Sequence, residues 1–313
     1  MYVSYLRQEL AARNHLFARG RAHVESYGSA PVIVYSPEEG RHGNFFDPAY
    51  AAILARPEWG RRLRKVHTQA RRALPKADRP WCELDSSTSS DALLMNVFCA
   101  PGVADSAQLC GALGVDTNAE LEFGWKARVP LANGRVDRTE VDLRFGSLLL
   151  EAKLTENNFQ TRAADVVEGY RDLDAVFDRD LLPRVPLPPR RWRTAAEFPE
   201  DYTQEGESLI APEGTLEAAR EPLRHTLVDS GGTGYSGYQL IRNVLAAYAT
   251  GCSFCVIHDE RRPDLREEWF RVMEAVKSAA MRVRLKVITW QELSVFLPRG
   301  LQEFLEVKYG IRD

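Results

Sequence analysis

The stretch RTEVDLRFGSLLLEAKLTE, residues 138–156, sets charged side chains at alternate positions against apolar ones around a Gly-Ser pair. Such alternation belongs to two half-buried strands. A two-residue turn at Gly146 and Ser147, of the type that accepts glycine first, makes Phe145 face Leu148 and sets the register by counting. Asp142 then lies opposite Glu151 and Glu140 opposite Lys153, while Val141, Leu143, Leu148, Leu150, Ala152 and Leu154 fall on the other, apolar face. Two carboxylates about 4 Å apart repel by roughly 4 kcal/mol at an effective dielectric near 20, so something must offset them. A lysine or a shared proton would do so, but oxygens converging on one point are also what a hard divalent cation such as Mg2+ requires. The competing reading is an exposed sheet face laced with ion pairs, Arg144 and Lys153 neutralising Asp142 and Glu151.

The elements around this hairpin must hold it in place. LEFGWKARVPL, RVDRTEVDLRF and SLLLEAKLT read as three consecutive antiparallel strands with ANG and FGS between them. Before them, the polar run DSSTSSD supplies caps for ALLMNVF, a short apolar helix expected in the core. After them, residues 161–178 return to a helical pattern, and LLPRVPLPPRRWRTAAEFPEDYTQEGE is too irregular for one regular element. Beyond SGGTGYSG follow a helix (YQLIRNVLAAYATG), a buried strand (SFCVIHDE), a helix from about Asp264 to Met281, a buried strand (VRLKVITW) and a helical close. Strand, helix, strand at this spacing argues parallel pairing, so the sheet is expected to be mixed. The first 80 residues read as a mostly helical N-terminal elaboration, and residues 81–313 as the main domain with an irregular insertion near 180–235.

With those elements in place, Asp142, eight intervening residues and then Glu151-Ala152-Lys153 resemble the D...ExK signature of the PD-(D/E)XK nuclease superfamily, the restriction endonuclease-like fold. The likeness covers residues 119–156 well and extends through the order of elements from about 83 to 290; Val141 stands where a proline is usually written. The resemblance implies an α/β core, a mixed β-sheet flanked by helices, that hydrolyses DNA phosphodiester bonds with Mg2+ or Mn2+. In that scheme Asp142 and Glu151 hold the metal, the carbonyl of Ala152 adds an oxygen, and Lys153 orients the attacking water or stabilises charge on the phosphate. Members often use one more glutamate. Glu83 lies near the core helix, while Glu120 and Glu122 share one face of the first strand; geometry favours the strand pair, with Glu122 ahead. Gln239, Arg242 and Asn243, at i, i+3 and i+4, share one side of the later helix and are expected to hold a phosphate or position Lys153.

Composition narrows the alternatives. A chain of 313 residues with 44% hydrophobic content can fill a core, and it has neither a run of roughly 18 apolar residues nor an apolar signal-peptide start, so it is expected to be cytoplasmic. Five scattered cysteines argue against a disulfide framework, and Cys252 and Cys255 read as core residues of a strand. A net charge of -3 gives no global attraction to nucleic acid, but two basic runs offer a local one. They are Arg61, Arg62, Arg64, Lys65, Arg71 and Arg72, then Arg184, Arg190, Arg191 and Arg193 beside Trp192. GGTGYSG lacks the lysine of a phosphate-binding loop, no HExxH occurs, and His258 and Asp259 have no nucleophile tied to them by a motif. The expectation is a restriction or defence endonuclease, or a repair nuclease, acting on DNA, with a homodimer or sequential nicks if both strands are cut. Two alternatives stand beside it: a non-catalytic interaction protein retaining the fold, and a nuclease acting on RNA or branched nucleic acid.

Overall fold

Gly146 turns the chain at φ +55°, and the strands that leave it pair as counting predicts: Phe145 with Leu148, Arg144 with Leu149, Leu143 with Leu150. This is a computed structural model, and it describes residues 1–27, 31–66, 81–138, 140–187 and 232–312. The hairpin belongs to a five-stranded sheet of β1 (Leu121–Lys126), β2 (Glu140–Phe145), β3 (Leu148–Ala152), β4 (Ser253–His258) and β5 (Leu285–Thr289). Its spatial order is β5-β4-β3-β2-β1. Strands β1, β2 and β3 are antiparallel neighbours, whereas β4 runs parallel to both β3 and β5. The sheet is mixed and flanked by helices, the arrangement expected for a restriction endonuclease-like core.

Among the helices that support it are α1 (Tyr2–Phe17), α2 (Ser90–Phe98), α3 (Tyr238–Thr250), α4 (Pro263–Glu274) and α5 (Arg299–Tyr309). Every residue of α2 after Ser90 is buried, as a helix apolar on nearly all sides requires, and Ser89 caps it by accepting the Ala92 N–H at 3.1 Å. It shares a core with Leu143, Phe145, Leu148, Leu150, Cys255 and Ile257 on one side of the sheet. On the other side Leu240, Ile241, Val244 and Leu245 of α3 pack with Leu149, Phe254 and Val256. β3 is thus buried on both faces, which is why it reads as an unbroken apolar run up to Glu151.

That layering decides against the competing reading of the hairpin and corrects one expectation. The charged face is not open at Glu151 and Lys153, because α3 covers it there and leaves them only 1% and 5% exposed. Nor does Val141 share a face with Leu143. Phe123 and Leu143 join the first core, whereas the next paired couple, Trp125 and Val141, joins the second. Between them lies Gly124 at φ +64°, a left-handed backbone that glycine adopts without steric cost. Opposite it, Asp142 uses its carboxylate to accept the Ala152 N–H at 2.7 Å. A side chain thereby replaces a backbone partner at the point where alternation switches.

The span 161–178 is less helical than its pattern suggests, holding a strand at Thr161–Ala163 and short helices at Ala164–Glu168 and Leu173–Val176. Thr161–Ala163 and Arg184–Pro186 flank Thr233–Ser236 in a small antiparallel sheet, which frames the expected insertion. Most of that insertion, residues 188–231, lies outside the described residues, as does the expected boundary near residue 80. The described residues among 1–66 hold two short antiparallel ladders besides their helices. Leu6 and Leu10 of α1 enter the same core as Leu301 and Leu305 of α5. Among the described residues, no helix is long and apolar enough to cross a membrane.

Candidate active site

Lys153 leaves the end of β3 with its backbone held on two sides. Its N–H donates to the Ile257 carbonyl at 2.8 Å, and its own carbonyl accepts the Trp290 indole N–H at 3.0 Å. The side chain therefore starts from a rigid point, and its Nζ donates to Glu151 Oε1 at 2.7 Å. The second Glu151 oxygen accepts from Asn243 Nδ2, also at 2.7 Å. A buried carboxylate needs such partners, and here a cation and an amide supply them. Asp142 stands on the adjoining strand, one position beyond the last paired couple, bonded to the N–H of Ala152 between Glu151 and Lys153.

Helix α3 delivers the remaining polar groups. Asn243 reaches Glu151, and Arg242 donates to the Glu140 carbonyl at 3.3 Å and to Asn243 Oδ1 at 3.5 Å. Burial works against the Arg242 charge, but Glu151 first and the surrounding Tyr238, Tyr170 and Asp137 outweigh it, so its pKa is raised. Gln239, one turn earlier and 3% exposed, is tied through its backbone N–H to the Phe159 carbonyl at 3.0 Å. The helix starts at Gly237, whose φ of +70° and whose closeness to Val272, 2.6 Å from where a Cβ would stand, both demand glycine.

The structure brings Asp142, Glu151, Lys153, Arg242 and Asn243 together and places the further glutamates elsewhere. Glu122 pairs with its cross-strand neighbour Arg144 at 2.9 Å, both about 38% exposed. Glu120 precedes β1 and is exposed, offering its carbonyl to the Gly146 N–H at 2.9 Å. Glu140, counted opposite Lys153, instead binds Arg62 at 2.6 Å and Lys65 at 3.1 Å. Arg62 also bonds Asp91 of α2, and Lys65 bonds Glu83 at 3.0 Å. Burial pushes the Glu140 carboxyl up, but Arg62 and Lys65 together hold it below the usual carboxylate range. Arg62 and Lys65, expected in a basic groove, thus spend their charge on internal acids. Arg71, Arg72, Arg190, Arg191, Trp192 and Arg193 lie outside the described residues.

Several groups around the site carry no motif in the sequence. Arg262 is fully buried and donates to the carbonyls of Leu154 at 3.3 Å, Glu156 at 2.7 Å and Asn157 at 3.0 Å, clamping the turn that follows Lys153. Glu268 of α4 accepts the Phe159 N–H at 3.2 Å; burial raises its pKa, opposed by the Phe159 and Gly237 N–H groups and by Lys153. Tyr238 O–H and Tyr170 O–H share a hydrogen bond of 3.0 Å, and Tyr170 donates to Asp137 at 2.5 Å. Only tertiary contact relates these residues to Lys153. At the end of β4, His258 Nδ1 bonds the Asp259 carbonyl at 2.8 Å, while the Asp259 carboxylate is taken by Arg261 at 2.6 and 2.7 Å, so the two do not form a hydrolase pair. Cys252 and Cys255 are free, buried and divided between the two cores.

The donor set at Asp142 and Glu151 is all oxygen, which suits a hard cation and not a soft one. Among the described residues no group of three or more His, Cys, Asp or Glu side chains forms a metal cage. Mg2+ asks for less, commonly one or two carboxylates completed by water and phosphate oxygens. A carboxylate offers about four lone-pair positions, so the hydrogen bonds to Lys153 and Asn243 leave Glu151 acceptor capacity. The residues therefore fit such an ion.

No curated protein and no solved structure matches the chain. One family model does, over residues 7–310, and it describes a restriction endonuclease associating with ARP. The match runs from α1 through the hairpin to the end of α5, taking in nearly all of the chain. The chain belongs to the family described as Restriction Endonuclease associating with ARP.

Proposed function

We propose that this protein is a metal-dependent endonuclease of the PD-(D/E)XK type that hydrolyses DNA phosphodiester bonds in restriction or defence. The observation that carries the reading is the Glu151–Lys153 contact of 2.7 Å beneath Asn243, with Asp142 on the adjoining strand bonded to the intervening Ala152. Asp142 and Glu151, with the Ala152 carbonyl, would hold Mg2+ or Mn2+, which supplies Lewis-acid stabilisation of charge developing on the phosphate. Lys153 provides a compact cation whose three donors can turn from Glu151 to a phosphate oxygen or an attacking water. Arg242 and Asn243 then keep Glu151 in place while that exchange occurs. The family's description also names an association with ARP, so an association with ARP belongs to the proposal.

The test is cleavage of supercoiled plasmid with Mg2+ or Mn2+, comparing wild type with Lys153→Ala and Asp142→Asn. Both substitutions are expected to reduce cutting by about 100-fold or more while the fold persists. Equal cutting by all three proteins would overturn the site assignment. An absence of cutting, together with no thermal shift of the wild type by Mn2+, would overturn the metal-nuclease reading.

A further inference from the structure

The small sheet beside the site carries a row of cations. Arg162 and Arg184 both pair across to Tyr235, one from each flanking strand, so the three side chains share one face. Arg184 already has an acid partner, since Glu168 lies at 3.6 Å, and it donates to the Tyr235 hydroxyl at 3.1 Å. Arg162 differs. Among the described residues its side chain has no ion pair and no hydrogen bond, and its guanidinium lies 5.5 Å from the centre of the Tyr238 ring. Arg242 lies at the same distance from that ring, four residues along α3.

The surroundings hold Arg162 there. Gly234 comes so close to the Arg162 carbonyl that a Cβ would stand 2.5 Å from it, so only glycine lets the two strands meet at this depth. The Tyr238 ring is anchored through Tyr170 to Asp137. From the ring the contacts continue through Arg242 and Asn243 to Glu151. A half-buried guanidinium with five donors, fixed over an aromatic ring and lacking an anion among the described residues, is organised for a phosphate.

We infer that Arg162, on its Tyr238 platform, grips a phosphate of the bound DNA strand beside the one presented to Lys153. This rests on the proposed nuclease reading of the same site. Losing one such contact weakens binding roughly uniformly across sequences and lowers the salt slope by about one unit.

The experiment measures duplex DNA binding against salt in a Lys153→Ala parent, which does not cut. Arg162→Ala and Arg162→Gln are compared with Arg299→Ala, a control in which the lost cation is exposed and pairs with Glu303. Both Arg162 variants are expected to bind about tenfold more weakly at low salt, with a slope smaller by about one, and to melt like the parent. Two variants are used because a folding defect in one leaves the other to decide. Parent-like binding by either folded Arg162 variant would overturn this inference and leave the nuclease reading standing. No DNA binding by the Lys153→Ala parent would overturn both.

Discussion

Glu151 is a carboxylate almost without access to solvent, and what makes that tolerable is the pair of short bonds to Lys153 and Asn243. Removing the amide leaves a buried oxygen without its donor. Asn243→Ala should therefore cost about 1–3 kcal/mol in urea unfolding, although no charge changes. Asn243→Asp should cost more, because a second carboxylate would face Glu151, and added Mg2+ should restore part of the loss if the acids bind it. A neutral result for both variants would mean that the Asn243 bond does not hold Glu151. Asp142 differs in kind: it replaces a backbone partner for Ala152, so it shapes the strand as well as supplying oxygens.

Arg62, at the scale of elements, fastens three pieces together: its own turn at Arg61–Arg64, Asp91 on α2 and Glu140 on β2. These groups are mostly shielded, with side-chain exposures of 11%, 10% and 28%. Arg62→Met should destabilise by about 2–3 kcal/mol, since it leaves Lys65 alone to offset two partly buried acids. The pH dependence has a definite sign. The Glu140 pKa is lowered in the fold, so its contribution is present above the ordinary carboxylate pKa and is lost as pH falls through the lowered value. Melting curves from pH 7 down to 3 should thus fall steeply for wild type and less steeply for Arg62→Met. Parallel curves would show that the cluster adds little.

For the whole molecule, the first and last helices meet around one buried amine. Lys308 is fully buried, donates to Asn14 Oδ1 at 2.9 Å and lies 4.2 Å from the Tyr309 ring centre, with no carboxylate bonded to it among the described residues. Burial, aided by Arg21, depresses its pKa well below that of an ordinary lysine. A depressed value means that folding releases a proton, so this group penalises folding below the unfolded lysine pKa, and the penalty shrinks as pH rises toward it. Lys308→Met removes the penalty and leaves Asn14 Oδ1 the Tyr35 hydroxyl donor at 3.2 Å. It should stabilise near neutral pH by on the order of 1 kcal/mol, about 2 °C in melting temperature, with a smaller gain toward pH 10. Destabilisation at pH 7 would show that the aromatic rings and Asn14 give the ammonium a net favourable site.

The hairpin register, the capped apolar helix α2 and the parallel strands β4 and β5 were all legible in the chain, because each rests on local rules of turn geometry, capping and run length. Counting from Gly146 brought Asp142 to the Glu151 end of β3, where it meets the Ala152 N–H, but it misplaced Glu140 opposite Lys153. A polar side of α3 beside Lys153 was legible, but how completely it would cover the charged face was not, since α3 arrives from more than eighty residues away and leaves Glu151 and Lys153 almost without solvent. Nor were the true partners of Glu122 and Glu140, whose counterions come from a cross-strand position and from a distant turn. Arg162, Arg262 and Glu268 belong to the same class: no motif marks them, and their roles exist only where separate segments converge. Periodicity and turn chemistry act within a dozen residues and are written in the sequence, whereas the pairing of buried charges depends on which remote element closes over them, and that was decided by tertiary packing.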